Sequence, residues 1–224
     1  MSLFPAILVL TAVVLVDGLS AQSAFRSDVV PVPVQLGVMS RCPDALVCES
    51  IFDQVLKQVG SKINLTLIYV ANVNATEPEF GITCMHGPRE CAGNVQQLCA
   101  AKYSTQWWDF VQCQNQQGRF QVGLPDVALE CAKTAGIDWQ TSGVGMCAGL
   151  DGSGNGAEGV ELLRESLFLG KALGIEKSCT ILINHKKVCV HDETWQECDG
   201  GHGVDDFVKQ INREYERING VLSQ

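Results

Sequence analysis

The chain has 224 residues, of which 46% are hydrophobic and 18% charged. That is enough apolar material for one domain with a sizeable core, and too much for a mostly disordered protein. Sixteen basic residues against 25 acidic ones leave a net charge of −9 without any run of Lys and Arg, which argues against a nucleic-acid or anionic-membrane binder. Eleven cysteines point to an oxidising compartment, a thiol chemistry, or both.

In chain order, Phe4 to Val16 is an apolar run followed by Asp17 and the small residues Ser20, Ala21 and Ala24. It reads as a secretory signal peptide over residues 1–21, cut near Ser20 to Ala24, because 13 apolar residues fall short of the roughly 20 needed to span a bilayer. Cleavage would remove Asp17 as the sole charge and leave −8, with no later segment long enough to span. Residues 22–224 then form one domain. Two sequons, Asn64-Leu65-Thr66 and Asn74-Ala75-Thr76, fit a secretory route and N-glycans.

Val32 to Met39 alternates as a strand, Asp44 to Val59 has helical spacing, and Ile63 to Val70 is a second strand, giving a βαβ unit. Residues 88–174 hold no convincing strand and several helical stretches: Pro88 to Gln116, Pro125 to Ala135 and Val160 to Leu173. The seven glycines within Gly143 to Gly159 predict a loop there. Ser178 to Asn184 and Lys187 to His191 form a strand pair, and Val204 to Ile218 is an amphipathic helix. The order βαβ, helical insertion, ββα is an α/β thioredoxin-like fold with a helical insertion between its halves.

Cys42 stands at the handover from the first strand to the helix, with Pro43 suited to the first helical position. A helix N-terminus stabilises a thiolate, the species that attacks disulfides, and Arg41 acts in the same direction while Asp44 opposes it. The next cysteine is Cys48, and Ala45 occupies the place a Cys-x-x-Cys pair would use. Six helical steps separate two residues by roughly 9 Å, whereas a disulfide wants Cα atoms within about 7 Å. Cys42 and Cys48 can pair only where Cys42 lies outside the regular helix or the first turn is irregular.

Residues 84–99 read CMHGPRECAGNVQQLC. Cys84, His86, Gly87, Glu90, Cys91, Asn94 and Cys99 stand as they do in the signature of the gamma-interferon-inducible lysosomal thiol reductase (GILT) family, which this segment resembles; Met85 departs where the family has Gln. The resemblance implies a thioredoxin-like fold and reduction of protein disulfides, favoured at acidic pH, with no cofactor. It implies Cys42 as nucleophile, with Cys48 in a divergent CPDxxxC arrangement resolving the mixed disulfide, and the signature cysteines as structural. It also implies disulfide-containing protein substrates, a small-thiol or protein reductant, and a secreted or lysosome-like location.

At Ser178-Cys179-Thr180 such folds usually carry a cis-proline facing the thiol. A cis peptide before a non-proline residue costs roughly 3 kcal/mol, so a trans bond is expected. Cys179 is an alternative resolving thiol or a structural half-cystine, and Thr180 borders the site. His185, Cys189, His191, Cys198 and His202 match no standard zinc spacing, and a Cys189–Cys198 bridge is the simpler expectation. Gly154 to Gly159 is formally G-x-G-x-x-G but lacks a preceding strand. His86 is read as ordering its turn, and Trp107 and Trp108 as core or cover of the insertion. A competing reading keeps the scaffold and discards the chemistry: a non-catalytic secreted binding protein with a structural Cys42–Cys48 disulfide.

Overall fold

A computed structural model describes residues 29–220, so the expected signal peptide lies outside the described residues. The chain opens with β1 (Val32–Val38), α1 (Pro43–Val59), a single 3-10 turn and β2 (Ile63–Tyr69). The strands run parallel in register from Val32–Ile63 to Val38–Tyr69. Val32, Val34, Leu36 and Val38 alternate along β1 and are fully buried on one face. The buried stripe of α1, namely Ala45, Cys48, Glu49, Phe52, Val55 and Val59, recurs every three or four residues.

A small hairpin follows, β3 (Asn72–Val73) and β4 (Ile82–Thr83), too short to register as sequence alternation. The insertion comprises α2 (Pro88–Tyr103), α3 (Trp107–Gln116), α4 (Pro125–Thr134), α5 (Val144–Ala148) and α6 (Ala157–Ala172). The chain closes with β5 (Thr180–Ile183), β6 (Lys186–Asp192), β7 (Thr194–Gln196) and α7 (Val204–Ile218). The main sheet has the order β2-β1-β5-β6-β7, in which β1 pairs parallel with β2 and the remaining pairs are antiparallel. Helices α1 and α7 share one face, where the Phe52 and Phe207 rings meet at 5.2 Å. Ile175, just beyond α6, closes the other face with Ile68 and Leu182.

The glycine-rich stretch is not all loop. It contains α5 and the first residues of α6 because its glycines serve close packing as much as turning. A Cβ on Gly145 would lie 2.3 Å from the Trp139 carbonyl oxygen, and one on Gly159 would lie 2.5 Å from Val95 Cγ1. The insertion is further stapled by Cys99–Cys147 and Cys113–Cys131, with Cα separations of 5.6 and 5.4 Å. These bonds close loops of 48 and 18 residues. Replacing Cys99 and Cys147 together by Ala is expected to lower stability by about 4 kcal/mol, and replacing Cys113 and Cys131 by about 3 kcal/mol, read from denaturant midpoints. Equal stability of either pair variant and the parent would refute the loop-closure account.

A buried polar chain joins the insertion to the sheet. Tyr69 Oη donates to Gln97 Oε1 (2.7 Å), Gln97 Nε2 to Gln114 Oε1 (3.0 Å), Gln114 Nε2 to Gln96 Oε1 (2.8 Å) and Gln96 Nε2 to the Gly152 carbonyl (2.7 Å). Glu49 faces this layer from α1. Its Oε2 accepts from Asn115 Nδ2 at 2.6 Å, while its Oε1 is buried without a protein partner. Burial pushes this carboxyl up to about 7 from 4.5, against the smaller opposing effect of the Asn115 hydrogen bond. Between about pH 4.5 and 7 the folded chain therefore holds a proton that the unfolded chain has released. Stability then falls as pH rises through that window, by up to about 3 kcal/mol. Glu49→Gln is expected to recover most of that loss at pH 7.5 and to change little at pH 4. Chemical unfolding at the two pH values checks it, and a variant no more stabilised at pH 7.5 than at pH 4 would count against it.

Candidate active site

Cys42 is the residue immediately before the first helical position of α1, with extended backbone (φ −79°, ψ 131°) and Pro43 following it. Its N–H donates to the Met39 carbonyl at 2.9 Å, which closes the turn from β1. The residue is 6% exposed, and its Sγ lies 3.9 Å from the Ser178 carbonyl oxygen and 3.7 Å from Asp44 Oδ2. All eleven cysteines fall within the described residues, and Cys42 is the free one.

Cys48 is bonded to Cys179, with Cα atoms 6.5 Å apart and 131 residues between them in sequence. This corrects the expectation of a Cys42–Cys48 pair, whether catalytic or structural. Cys48 lies one and a half turns into α1 on its buried side, where it faces the sheet and meets Cys179 just ahead of β5. The Ser178–Cys179 peptide is cis, not trans as expected. Cys179 is locked on both sides there: it exchanges two 2.9 Å backbone hydrogen bonds with His191 and is bonded to Cys48. Thr180 is buried beside it, its Oγ1 donating to the Lys177 carbonyl at 2.8 Å.

The signature residues hold the turn that carries Cys42. The Ser40 N–H donates to Asn94 Oδ1 (3.0 Å), and Ser40 Oγ donates to the Glu90 carbonyl (3.1 Å). Glu90 is fully buried, and its carboxylate takes the His86 ring on one oxygen and the His86 N–H on the other at 3.2 Å. Gly87 precedes α2 with φ +84°, a left-handed conformation that favours glycine. Cys84 and Cys91 are bonded across this turn, while Cys99 reaches α5. On the opposite side, the Met39 N–H donates to Ser178 Oγ at 3.0 Å. The turn from Met39 to Cys42 is thus gripped between α2 and the segment leading into β5.

One pair at the site carries no local signal in the sequence. His191 Nδ1 lies 2.7 Å from Asp44 Oδ1, which also accepts from the Glu193 N–H at 2.9 Å, so Asp44 bridges Cys42 to β6. Trp195 packs edge-on to His191 at 4.6 Å and stacks on His202 at 5.0 Å. Cys189 and Cys198 are joined to each other, and among the described residues no three His, Cys, Asp or Glu side chains converge as metal ligands. Trp107 and Trp108 are half-buried at the start of α3; Trp108 Nε1 donates to Asp53 Oδ1 on α1 at 3.2 Å, and Trp107 lines a hollow with Leu65 and Leu67 of β2 and Leu98 of α2. Asn64 is exposed on the edge strand β2, and Asn74 lies in the turn after β3. Among the described residues no helix is long and apolar enough to cross a membrane.

Residues 33–135 match the family described as gamma interferon inducible lysosomal thiol reductase (GILT). No curated protein matches the chain by sequence. Among solved structures, oxidised BdbD from Bacillus subtilis aligns with a TM-score of 0.56 at 17% identity, over 85% of this chain and 90% of that one. MdbA, a thiol-disulfide oxidoreductase from Corynebacterium diphtheriae, aligns with 0.55 at 13% identity, over 84% and 86%. ScsC from Proteus mirabilis aligns with 0.51 at 11% identity, over 85% and 71%. These likenesses establish the architecture, a thioredoxin-like fold, and the match over residues 33–135, a little under half of the chain, ties that segment to the GILT family and supports thiol–disulfide oxidoreductase chemistry.

Proposed function

We propose that this protein reduces disulfides in polypeptide substrates, with Cys42 as the attacking thiol and the Cys48–Cys179 pair as its electron store. The observation that carries the reading is that Cys42 is a free thiol at a helix N-terminus while the cysteine next to its Ser178 contact is already bonded. A nucleophile kept out of the resident disulfide is available to attack one in a substrate.

The cycle begins when an external thiol reductant reduces Cys48–Cys179 to two thiols. The Cys42 thiolate then attacks a substrate disulfide, forming a Cys42–substrate disulfide and releasing one substrate sulfur as a thiol. Cys48 or Cys179 attacks the Cys42 sulfur and releases the second substrate thiol. The remaining thiol of the pair displaces Cys42, restoring Cys48–Cys179 and a free Cys42. Two electrons pass from the pair to the substrate, and two protons end on the substrate thiols. Five disulfides and the apolar N-terminal run support a lumenal or extracellular setting, with a leader over residues 1–21 and glycans at Asn64 and Asn74. The resemblance of residues 33–135 to the GILT family supports operation at acidic pH.

Cys42→Ser is expected to abolish reduction of a peptide disulfide by the pre-reduced protein. Of Cys48→Ser and Cys179→Ser, the variant lacking the resolving sulfur is expected to accumulate the Cys42–substrate adduct, detected by mass spectrometry of the trapped protein. Full activity in Cys42→Ser would end the proposal. Undiminished turnover without trapping in the Cys48→Ser/Cys179→Ser double variant would replace the electron store with simple monothiol exchange.

A further inference from the structure

The chain carries −9, yet three of its seven arginines, Arg41, Arg89 and Arg119, come together on one side of Cys42. Arg41 precedes the thiol and reaches sideways: its Nε donates to the Val122 carbonyl at 3.0 Å and its Nη2 to the Phe120 carbonyl. These contacts fasten the loop from Gly118 to Gly123 beside the nucleophile. The loop packs directly on α2, where a Cβ on Gly123 would lie 1.8 Å from the Arg89 carbonyl oxygen. Arg119 lies with its guanidinium 4.6 Å from the centre of the Phe120 ring. Phe120 is 68% exposed and Met85, in the turn before α2, is 75% exposed.

Three anionic groups lie nearby, and each has a partner of its own: Glu79, which lines a hollow with Arg89 and Gly123, accepts from Asn155 Nδ2 at 3.1 Å. Glu90 is buried and turned to His86, and Asp44 is held by His191 and the Glu193 N–H. Burial, and then the charges of Arg89 and Arg119, pull Arg41 below its usual value, with Glu90 opposing. Arg119 Nε is buried without a protein partner. Cations crowded in this way repel one another, and a carboxylate from outside relieves that repulsion.

We propose that Arg89 and Arg119, steadied by Arg41, form with Phe120 and Met85 a substrate-docking rim that selects polypeptide disulfides whose half-cystine lies beside an acidic residue. The exposed Phe120 and Met85 favour a polypeptide over a small anion, because they offer apolar contact to a neighbouring side chain. This assignment rests on the reductase reading for its turnover arm and is independent of it for its binding arm.

The test uses peptide disulfides identical except for Glu or Lys on either side of the cysteine. At low ionic strength the Glu peptide is expected to show a kcat/KM about tenfold above the Lys peptide, carried in KM and shrinking with added salt. In Arg89→Ala/Arg119→Ala the Glu-to-Lys ratio is expected to fall to about one. Arg89→Lys/Arg119→Lys keeps most of the ratio, and Arg213→Ala on α7 leaves it unchanged. The same peptides with Ser in place of Cys are expected to bind with the same charge order, measured by fluorescence. Equal kcat/KM for the two peptides in the parent protein, or a ratio that survives in the Ala double variant, overturns the proposal. Arginine-dependent reduction of glutathione disulfide with no peptide preference overturns its polypeptide assignment. Charge-ordered binding without any turnover supports the rim and defeats the reductase reading.

Discussion

The bond between Cys48 and Cys179 governs how the rest of the site can work. It ties the buried side of α1 to the residue just ahead of β5, across 131 positions of sequence. The partner that a helical dithiol would place one turn along from Cys42 is absent because this chain has Ala45 there, and the bond engages the next cysteine of the helix, Cys48. Cys42 is left as a free thiol against the Ser178 carbonyl, with the oxidised pair in the core behind the same segment. In the proposed cycle, substrate contact and electron storage therefore fall to different sulfurs. One consequence is geometric: whichever sulfur resolves the mixed disulfide must first be freed from its neighbour, so reduction of the pair gates the cycle.

A thiol used this way needs its backbone fixed from outside, because a single cysteine before a helix has no second sulfur to hold it. The signature segment meets that need. Asn94 and the Glu90 carbonyl take both hydrogen-bonding groups of Ser40, and the absence of a Cβ at Gly93 leaves room for the Ser40 hydroxyl, which would otherwise lie 2.6 Å away. The His86–Glu90 pair and the Cys84–Cys91 bond hold the start of α2 in position for those contacts. The chemistry-bearing sulfur lies in one segment and the residues that place it in another, more than forty positions away. Buried polar groups satisfied on both sides make such a placement rigid.

What could be read from the sequence divides along the range of the interactions. The position of Cys42 at a helix N-terminus, the βαβ opening and the closing helix from Val204 to Ile218 follow from local rules: Pro43 at the first helical position, a period of two in β1, and a period near 3.6 in α7. The pairing of Cys48 with Cys179 and the contact of Asp44 with His191 join residues 131 and 147 positions apart, and no local spacing encodes them. Reading the glycines of residues 143–159 as loop failed for a related reason. Their contacts, such as Gly159 against Val95 and Cys99, lie in other helices, so a tertiary demand for closeness has the same composition as a local demand for flexibility. The βαβ unit and the closing strand pair were legible because element order restricts them, whereas the extra strand β7 is three residues long and leaves no alternation to read.

Charge shows the same division. Counted along the sequence, the chain is acidic and has no basic run, and that count gives no reason to expect a polyanion ligand. In three dimensions Arg41, Arg89 and Arg119 arrive from β1's end, α2 and the loop before α4, so their proximity is invisible to any window of sequence. The energetic logic differs from that of a surface ion pair. An exposed pair between this protein's own residues contributes little, because solvent screens it and two long side chains must be ordered. Cations held together by contacts to the fold, as Arg41 is held by the Phe120 and Val122 carbonyls, have their ordering cost met on folding. They bear a repulsion that an incoming carboxylate relieves. A net anionic surface keeps other anions at a distance through long-range repulsion, and a short-range cationic rim beside the thiol acts within about a Debye length. Together these favour a partner whose negative charge is local and placed next to its disulfide.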